Sequence, residues 1–324
     1  MFQVKKTILD KDPRLMRDVY CDTLIELAKN DPRICALDAD LMGSSGMKPF
    51  MKEFPGRFFD VGIAEANMIG VAAGLSATGK IPFAHSFGVF SSRRVCDQIF
   101  MSAAYAKLNV RIIGSDPGVT AAYNGGTHMP FEDMGVLRSI PQITLLEPSD
   151  PVMLGDLTRQ LADTYGVYYI RMARKDAVSI YQDGSTFEIG KGNVLVEGRD
   201  VTIMASGIMV AEAIKAAIVL ENEGLSVRVV DLFTWKPMDT ELVARCAAET
   251  GAIVTAENHN TLGGLGAAVA EAVTRTCPCP MEMVGTDDRF GQVGTEAFLR
   301  KEYDLTADRI IRAAKTAIER KKKH

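Results

Sequence analysis

The stretch Asp60-Val-Gly-Ile-Ala-Glu65-Ala-Asn-Met-Ile-Gly-Val-Ala-Ala-Gly-Leu75 decides the fold class. A short apolar run leads into a glycine-containing turn, and Glu65 then begins a series of small and apolar residues. Their helical spacing predicts a largely buried helix over residues 65–77. A carboxylate at the first position of a helix is stabilised by the helix N-terminus. Glu65 is therefore either an ordinary first-turn capping residue or a functional acid, and spacing alone leaves both open.

The same alternation of strand and helix extends outward on both sides of this stretch. Short apolar runs predict strands at 34–37, 58–61, 110–113, 143–146 and 167–170. Longer amphipathic stretches between them predict helices at 14–28, 65–77 and 94–107. Strands that alternate with helices in this way indicate a parallel sheet covered on both faces.

A polar, glycine-rich segment at 182–199 interrupts the pattern and is the best candidate for a domain boundary. A second alternation follows it, with predicted strands at 201–204, 227–232 and 253–255 and helices at 210–223, 239–249 and 266–275. We therefore expect an α/β protein of two three-layer α/β/α domains, 1–187 and 188–324, each with a mostly parallel sheet.

Composition excludes several classes of function. The chain has 324 residues and a net charge of −4, so it offers no basic field for nucleic acid. No apolar run approaches the roughly 18 residues that cross a bilayer. The first residues lack an apolar leader, so we expect a cytoplasmic protein with reduced cysteines. With four histidines and no metal-ligand spacing, we expect no metal site built by this chain.

A predicted strand ends in Pro82-Phe-Ala-His-Ser-Phe87-Gly-Val-Phe90-Ser-Ser-Arg93-Arg94. Open α/β sheets bind ligands at the carboxyl ends of their strands. Phe87 and Phe90 could stack on a heteroaromatic ring there, and the two arginines could meet an anion. Core packing and solvated surface charge are the alternatives.

A long glycine-rich loop, Gly114 to Asp133, follows the next predicted strand and contains His128. Long loops of this kind usually carry function rather than packing. A purely structural histidine is the alternative.

These stretches, taken together and in this order, resemble the transketolase superfamily over essentially the whole chain. The resemblance covers its pyrimidine-binding and C-terminal domains. It is carried by the GIAE segment around Glu65, by two phenylalanines three residues apart, and by the loop that ends in GGTHMPFED. Four segments of the second half also match the family, namely Ala205-Ser-Gly207, Arg228-Val-Val-Asp231, Glu257-Asn-His259 and Asp288-Arg-Phe-Gly291.

The resemblance implies a dependence on thiamine diphosphate, with Glu65 as the catalytic glutamate. In that chemistry the carboxyl group hydrogen-bonds N1′ of the aminopyrimidine and so promotes removal of the thiazolium C2 proton. Phe87 and Phe90 would hold the aminopyrimidine ring, and Asp40 would lie near the cofactor. His128 would hydrogen-bond substrate hydroxyls or a developing oxyanion.

The resemblance also implies a site for a sugar phosphate. Arg17, Ser44 and Arg174 align with residues that bind this phosphate in transketolases. Arg171 matches an arginine of a sister family, and Arg94 is a further candidate. The family's pattern is broken at two positions, where Asn124 replaces a common aspartate and Asp116 replaces a common histidine. An anionic Asp116 would repel a phosphate, so a modified sugar or another acceptor is possible.

The family binds Mg²⁺ and the diphosphate through a GDG motif that this sequence lacks. The resemblance therefore implies a split enzyme, in which an N-terminal subunit supplies the Mg²⁺ and diphosphate site. We expect an α2β2 heterotetramer that moves a two-carbon ketol unit from a ketose phosphate to an aldose phosphate.

Three other functions remain as alternatives. They are a 1-deoxyxylulose-5-phosphate synthase-like activity, the β subunit of a 2-oxoacid dehydrogenase first component, and a non-catalytic scaffold subunit. The loop with His128 and the phosphate-type residues Arg17 and Ser44 favour sugars over 2-oxo acids. The presence of Glu65 and both phenylalanines weighs against the scaffold.

Overall fold

The chain forms two mostly parallel sheets with flanking helices, which confirms the predicted fold class. This architecture is seen in a computed structural model that describes residues 1–5, 9–175 and 177–323. The strands are β1 Ile34–Asp38, β2 Phe58–Asp60, β3 Ile81–Phe87, β4 Val110–Ser115, β5 Ile143–Leu146, β6 Val167–Met172, β7 Asn193–Val196, β8 Val201–Ala205, β9 Val227–Asp231, β10 Thr234–Lys236, β11 Ile253–Asn260 and β12 Met281–Thr286.

The helices match most of the predicted amphipathic stretches to within two residues at each end. They are α1 Met16–Asn30, α2 Met42–Ser45, α3 Lys48–Glu53, α4 Glu65–Ala77, α5 Gly88–Ser91, α6 Cys96–Gln98, α7 Asp133–Arg138, α8 Pro151–Asp163, α9 Met209–Asn222, α10 Thr240–Thr250, α11 Leu265–Arg275, α12 Glu296–Glu302 and α13 Ala307–Lys321.

The first sheet has the order β10-β5-β6-β4-β3-β1-β2. All of its neighbours are parallel except β10, which runs antiparallel to β5. The second sheet has the order β12-β11-β8-β9-β7, with β7 antiparallel to β9 and the others parallel. The predicted boundary at 187/188 separates β1–β6 from the strands that follow, but β10 comes from the second half and completes the first sheet.

Helices cover both faces of the first sheet because its strands are apolar on both sides. Strand β3 is buried along its whole length. Its Ile81 and Phe83 belong to the core under α1 and α8, while its Ala84 belongs to the core under α4. A strand that is buried on both faces is the expected sequence pattern of a parallel sheet.

Helix α4 is less buried than its sequence predicts. Glu65, Met68, Ile69, Ala72, Ala73 and Ser76 face the sheet. The opposite side exposes the small residues Ala66, Gly70, Gly74 and Ala77 together with Asn67. A helix that is apolar all round normally lies inside a protein. Its exposed side is therefore an unusual surface for an isolated chain.

The predicted helix over 94–107 is wrong as a continuous element. It divides into a 3₁₀ turn at Arg93–Val95, helix α6 and a π-helical segment at Ile99–Tyr105. Just before the break, the Ser91 and Ser92 hydroxyls donate to the carbonyls of Phe87 and Gly88. Serine side chains that bond to the backbone in this way compete with regular helix formation.

Arg171 joins the two halves of the molecule and is completely buried. Its guanidinium donates to the carboxylates of Asp133 and Glu147 and to the carbonyls of Pro130 and Asn258. Asn258 belongs to β11 of the second sheet, so the contact crosses between the domains. Arg171 therefore presents no exposed donor to a ligand, which corrects the prediction that it binds substrate phosphate.

Replacement of Arg171 by methionine should lower the free energy of unfolding by about 3–5 kcal/mol, because two carboxylates would lose their buried partner. Urea unfolding of the purified chain measures this change. The matched control is Arg159→Met, since Arg159 is half-exposed and pairs with Glu26 at the surface. The control substitution should lower the free energy of unfolding by less than about 1 kcal/mol. An equal loss of stability in the two variants would contradict a structural role for Arg171.

Candidate active site

The predicted site residues lie mainly at the carboxyl edge of the first sheet. Strands β1, β3, β4 and β6 are parallel neighbours, so their carboxyl ends meet at one edge. Asp40 follows β1, Phe87 ends β3, Asp116 follows β4 and Arg174 follows β6. Residues far apart in sequence are thus brought together by topology, as is usual for ligand sites in open α/β sheets.

Glu65 is only 2% exposed, at the first position of α4. Its Oε1 accepts a hydrogen bond of 3.2 Å from the Ser86 hydroxyl, and its Oε2 lies 2.7 Å from Nη1 of Arg94. Among the described residues, these two side chains donate to the carboxylate, and no backbone N–H of the first turn does. The contacts therefore favour a functional acid over the capping role that the sequence left open.

Two phenylalanine rings border the same place. The rings of Phe87 and Phe90 have centroids 6.3 Å apart and an angle of 58° between their planes. The ring of His128 meets both edge-on, at 5.7 Å from Phe87 and 5.1 Å from Phe90. The Arg94 guanidinium lies 3.8 Å from the centroid of Phe90, which is a cation–π contact. Arg94 therefore bridges the Glu65 carboxylate and an aromatic face.

His128 depends on the second domain for its position. The loop that carries it is held by Asn258, whose Oδ1 accepts from the Val119 N–H and whose Nδ2 donates to the Pro117 carbonyl. Further along, Gly126 lies so close to the backbone of Gly291 that a Cβ there would be 2.1 Å from the Gly291 carbonyl oxygen. The second-half motifs around Asn258 and Gly291 thus support the loop.

Arg17, Ser44, Arg174 and Asp116 form a second cluster beside the aromatic rings, which we call the anion cluster. The Arg17 N–H donates to the Arg174 carbonyl at 3.1 Å, and Nη1 of Arg17 donates to the Ser44 carbonyl at 3.3 Å. Nε of Arg174 lies 3.0 Å from Oδ2 of Asp116. The Arg174 guanidinium is 5.5 Å from the Phe87 ring, so the two clusters are contiguous.

Asp40 and Asn124 are exposed, and no contact with Glu65 or the phenylalanines is found for them in the described residues. The Asp40 N–H donates to Oδ1 of Asp60, which fixes Asp40 in a left-handed conformation with φ of 59° at the edge of the sheet. Asn124 lies in the loop that carries His128. Both residues remain candidates for contacts with a bound cofactor or substrate.

Sequence reasoning overlooked the buried polar residues beneath the anion cluster. His85 and Tyr20 pack edge-on, with centroids 5.6 Å apart. Burial lowers the pKa of His85 to about 3, so its ring is neutral at physiological pH. Both nitrogens of His85, the Tyr20 hydroxyl and Nε of Arg17 have no hydrogen-bond partner among the described residues. Their sequence spacing gives no sign of this convergence, because α1 and β3 meet only in the fold.

No group of three or more His, Cys, Asp or Glu side chains is placed to hold a metal ion in residues 1–5, 9–175 and 177–323. Over the same residues, none of the helices is both long enough and apolar enough to span a bilayer.

Two family models match the chain on either side of the predicted domain boundary. The model described as "Transketolase, pyrimidine binding domain" matches residues 12–178. The model described as "Transketolase, C-terminal domain" matches residues 190–310. The first contains every predicted site residue, and the second contains the segments that brace the His128 loop.

Similar proteins agree with this match. The chain is 53% identical over 306 residues to the 6-deoxy-6-sulfo-D-fructose transketolase subunit SqwH of a Clostridium species, covering 94% of this chain and 95% of that one. It is 36% identical to an apulose-4-phosphate transketolase subunit of Phocaeicola vulgatus, covering 95% and 97% of the two chains.

A solved structure described as a split gene transketolase, inactive beta4 tetramer, matches with a TM-score of 0.89 and 43% identity. The match covers 95% of this chain and 99% of that chain. With matching family models over both halves and end-to-end similarity to transketolase subunits, the chain belongs to the transketolase family, as a subunit of the split type.

Proposed function

We propose that this chain is the pyrimidine-side subunit of a thiamine-diphosphate-dependent transketolase that transfers a two-carbon ketol unit. The observation that carries the proposal is Glu65, a buried carboxylate at the start of α4 that faces the aromatic cluster of Phe87, Phe90 and His128 through Arg94. A carboxyl group in such a partly desolvated place is suited to sharing a proton with a ring nitrogen.

The residues present fit the aminopyrimidine end of the cofactor. The Arg94 guanidinium is flat, carries N–H donors, hydrogen-bonds Glu65 and lies over Phe90. A flat nitrogen heterocycle can make the same two contacts once Arg94 moves aside. Thiamine diphosphate, when bound, supplies the nucleophilic carbon that cleaves the ketose and carries the two-carbon unit. Glu65 would hold the proton at the ring nitrogen, and Phe87 and Phe90 would fix the ring plane.

The remaining site residues would bind the sugar. His128 lies against both phenylalanine rings, so its imidazole can donate to a hydroxyl or a developing oxyanion near the cofactor. Arg17, Ser44 and Arg174 would bind the anionic end of the sugar through charge-assisted hydrogen bonds. Asp40 and Asn124 would complete the site from its exposed rim.

A separate N-terminal subunit is the partner that the surface supports. Large apolar side chains are exposed beside the site, with Ile63 at 78%, Met101 at 51% and Tyr105 at 74%. The exposed small residues of α4 belong to the same part of the molecule. Exposed apolar patches of this kind mark interaction surfaces. We propose that the partner covers them, provides the Mg²⁺ and diphosphate site, and forms an α2β2 assembly.

The substrate proposal follows the more similar of the two named relatives. The relative at 53% identity is a transketolase subunit for a sulfonated ketose, and the relative at 36% acts on a phosphorylated one. We therefore propose a sulfonated ketose as the donor. A ketose phosphate, which the sequence resemblance first indicated, is the substrate against which this proposal is compared.

Replacement of Glu65 by glutamine should lower the turnover of the assembled enzyme by about 10²-fold or more, because the amide cannot exchange a proton with the ring nitrogen. Ketol transfer from 6-deoxy-6-sulfofructose to an aldose phosphate, followed with Mg²⁺ and thiamine diphosphate present, measures this loss.

The control for this variant is Glu53→Gln, since Glu53 is an exposed residue of α3 that pairs with Lys29 at the surface. It should retain the turnover of the unmodified enzyme. Near-normal turnover in Glu65→Gln would show that Glu65 takes no part in the mechanism. The main observation in support of the proposed function would then be lost.

The chain alone should bind thiamine diphosphate at least about tenfold more weakly than the chain mixed with its partner, because the diphosphate contacts lie on the other subunit. Titration calorimetry with Mg²⁺ present compares the two samples. Ketol transfer should appear only in the mixture. Tight binding by the purified chain would contradict the split arrangement.

A further inference from the structure

Asp116 lies inside the anion cluster, although its charge is the same as that of the expected ligand. It directly follows β4 with a φ of 58°, and its side chain is 2% exposed. Its Oδ1 and Oδ2 lie 3.1 and 3.0 Å from Nε of Arg174. An acidic residue that is buried among anion-binding arginines needs a physical explanation.

Asp116 engages only one edge of the Arg174 guanidinium. Within the described part of the chain, no hydrogen bond from either terminal nitrogen of Arg174 is found. The terminal nitrogens therefore remain available to an anion, and Asp116 fixes the plane in which they lie. Next to it, Nη1 of Arg17 donates to the Ser44 carbonyl, while its buried Nε makes no hydrogen bond among the described residues and lies 3.5 Å from Oδ1 of Asp18.

The charges of the anion cluster sum to a single positive charge. Arg17 and Arg174 contribute two positive charges, and Asp116 contributes one negative charge. Two further groups, Asp18 beside Arg17 and Lys175 near Asp116, are exposed and of opposite sign, so they leave the sum unchanged. Beneath the cluster, burial lowers the pKa of His85 to about 3 and raises the pKa of the Tyr20 hydroxyl, so neither residue adds a charge.

Asp116 keeps its negative charge because of its partner. Burial raises the pKa of the Asp116 carboxyl, and the Arg174 guanidinium opposes that rise. An adjacent guanidinium favours the ionised form of a carboxyl group. The ion pair, with both carboxylate oxygens within 3.1 Å of Nε of Arg174, places a negative charge beside the ligand.

We propose that Asp116 makes this site select a sugar with a singly charged anionic end over one with a doubly charged end. The inference rests on the proposed function. A sulfonate carries one negative charge and three acceptor oxygens, whereas a phosphate monoester carries about 1.5 to 2 charges at pH 7. The additional charge is repelled by a buried carboxylate only a few ångströms away, where solvent screens poorly.

The test variant is Asp116→Asn in the enzyme assembled with its partner. Asparagine keeps the size of the side chain, can accept from Nε of Arg174 and tolerates a positive φ, so it removes the charge and little else. The matched control is Asp304→Asn, since Asp304 also has a positive φ, of 52°, and lies outside the site on the chain between α12 and α13.

The measured quantity is kcat/KM for 6-deoxy-6-sulfofructose divided by kcat/KM for fructose 6-phosphate, at pH 5.5, 6.5 and 7.5. The two donors differ only in the anionic end, so the pH dependence of the shared chemistry cancels in the ratio. The unmodified enzyme should favour the sulfonate at pH 7.5, and the preference should shrink toward pH 5.5 as the phosphate takes up a proton. Protonation of Asp116 would also reduce the preference for the sulfonate, because a neutral carboxyl group does not repel the phosphate.

Asp116→Asn should lower this ratio by about tenfold at pH 7.5 and flatten its pH dependence, while Asp304→Asn leaves both unchanged. An equal fall of kcat/KM for both donors in Asp116→Asn would show that Asp116 only holds Arg174 in place, and it would overturn the inference. A preference of the unmodified enzyme for the phosphate would overturn it as well. Failure to transfer a ketol unit from either donor would overturn the proposed function, and the inference would fail with it.

Discussion

The buried network around Arg171 is the interaction on which the arrangement of this molecule depends. Arg171 connects Asp133, at the start of α7, with Glu147, which follows β5. The network continues from Asp133 to the Tyr169 hydroxyl, and from Glu147 through the Ser206 hydroxyl to the indole of Trp235. Charges that are removed from water must be fully paired, so this network tolerates little displacement.

The position of the candidate site follows from that constraint. The loop before Asp133 carries His128, and the Pro130 carbonyl of that loop accepts from Arg171. Asn258 holds the other end of the loop and also accepts from Arg171 through its carbonyl. The second domain thus contributes no predicted site residue of its own. Its role is to place one loop against the aromatic rings.

The two halves of the site have different physical characters. Around Glu65, a single carboxylate is desolvated beside aromatic faces, which suits proton sharing with a flat heterocycle. Around Arg174, charges of both signs are packed together, which suits recognition of an anion by its charge. Phe87 separates the two halves, so the reactive end and the anionic end of a sugar would be bound by distinct chemistry.

The sequence by itself determined the fold class and most helix and strand positions, and it marked Glu65, Phe87 and Phe90 as site candidates beside purely structural alternatives. These follow from periodicity and from local motifs, which depend on residues close together in the chain. Only the tertiary structure decided that Arg171 is a buried connector, that β10 completes the first sheet and that Asp116 pairs with Arg174. It also showed that Arg94 occupies the place between Glu65 and Phe90 and that one side of α4 is exposed. These features depend on contacts between residues that are distant in sequence, and burial, which decides whether an arginine binds a ligand or a carboxylate, exists only once the chain has folded.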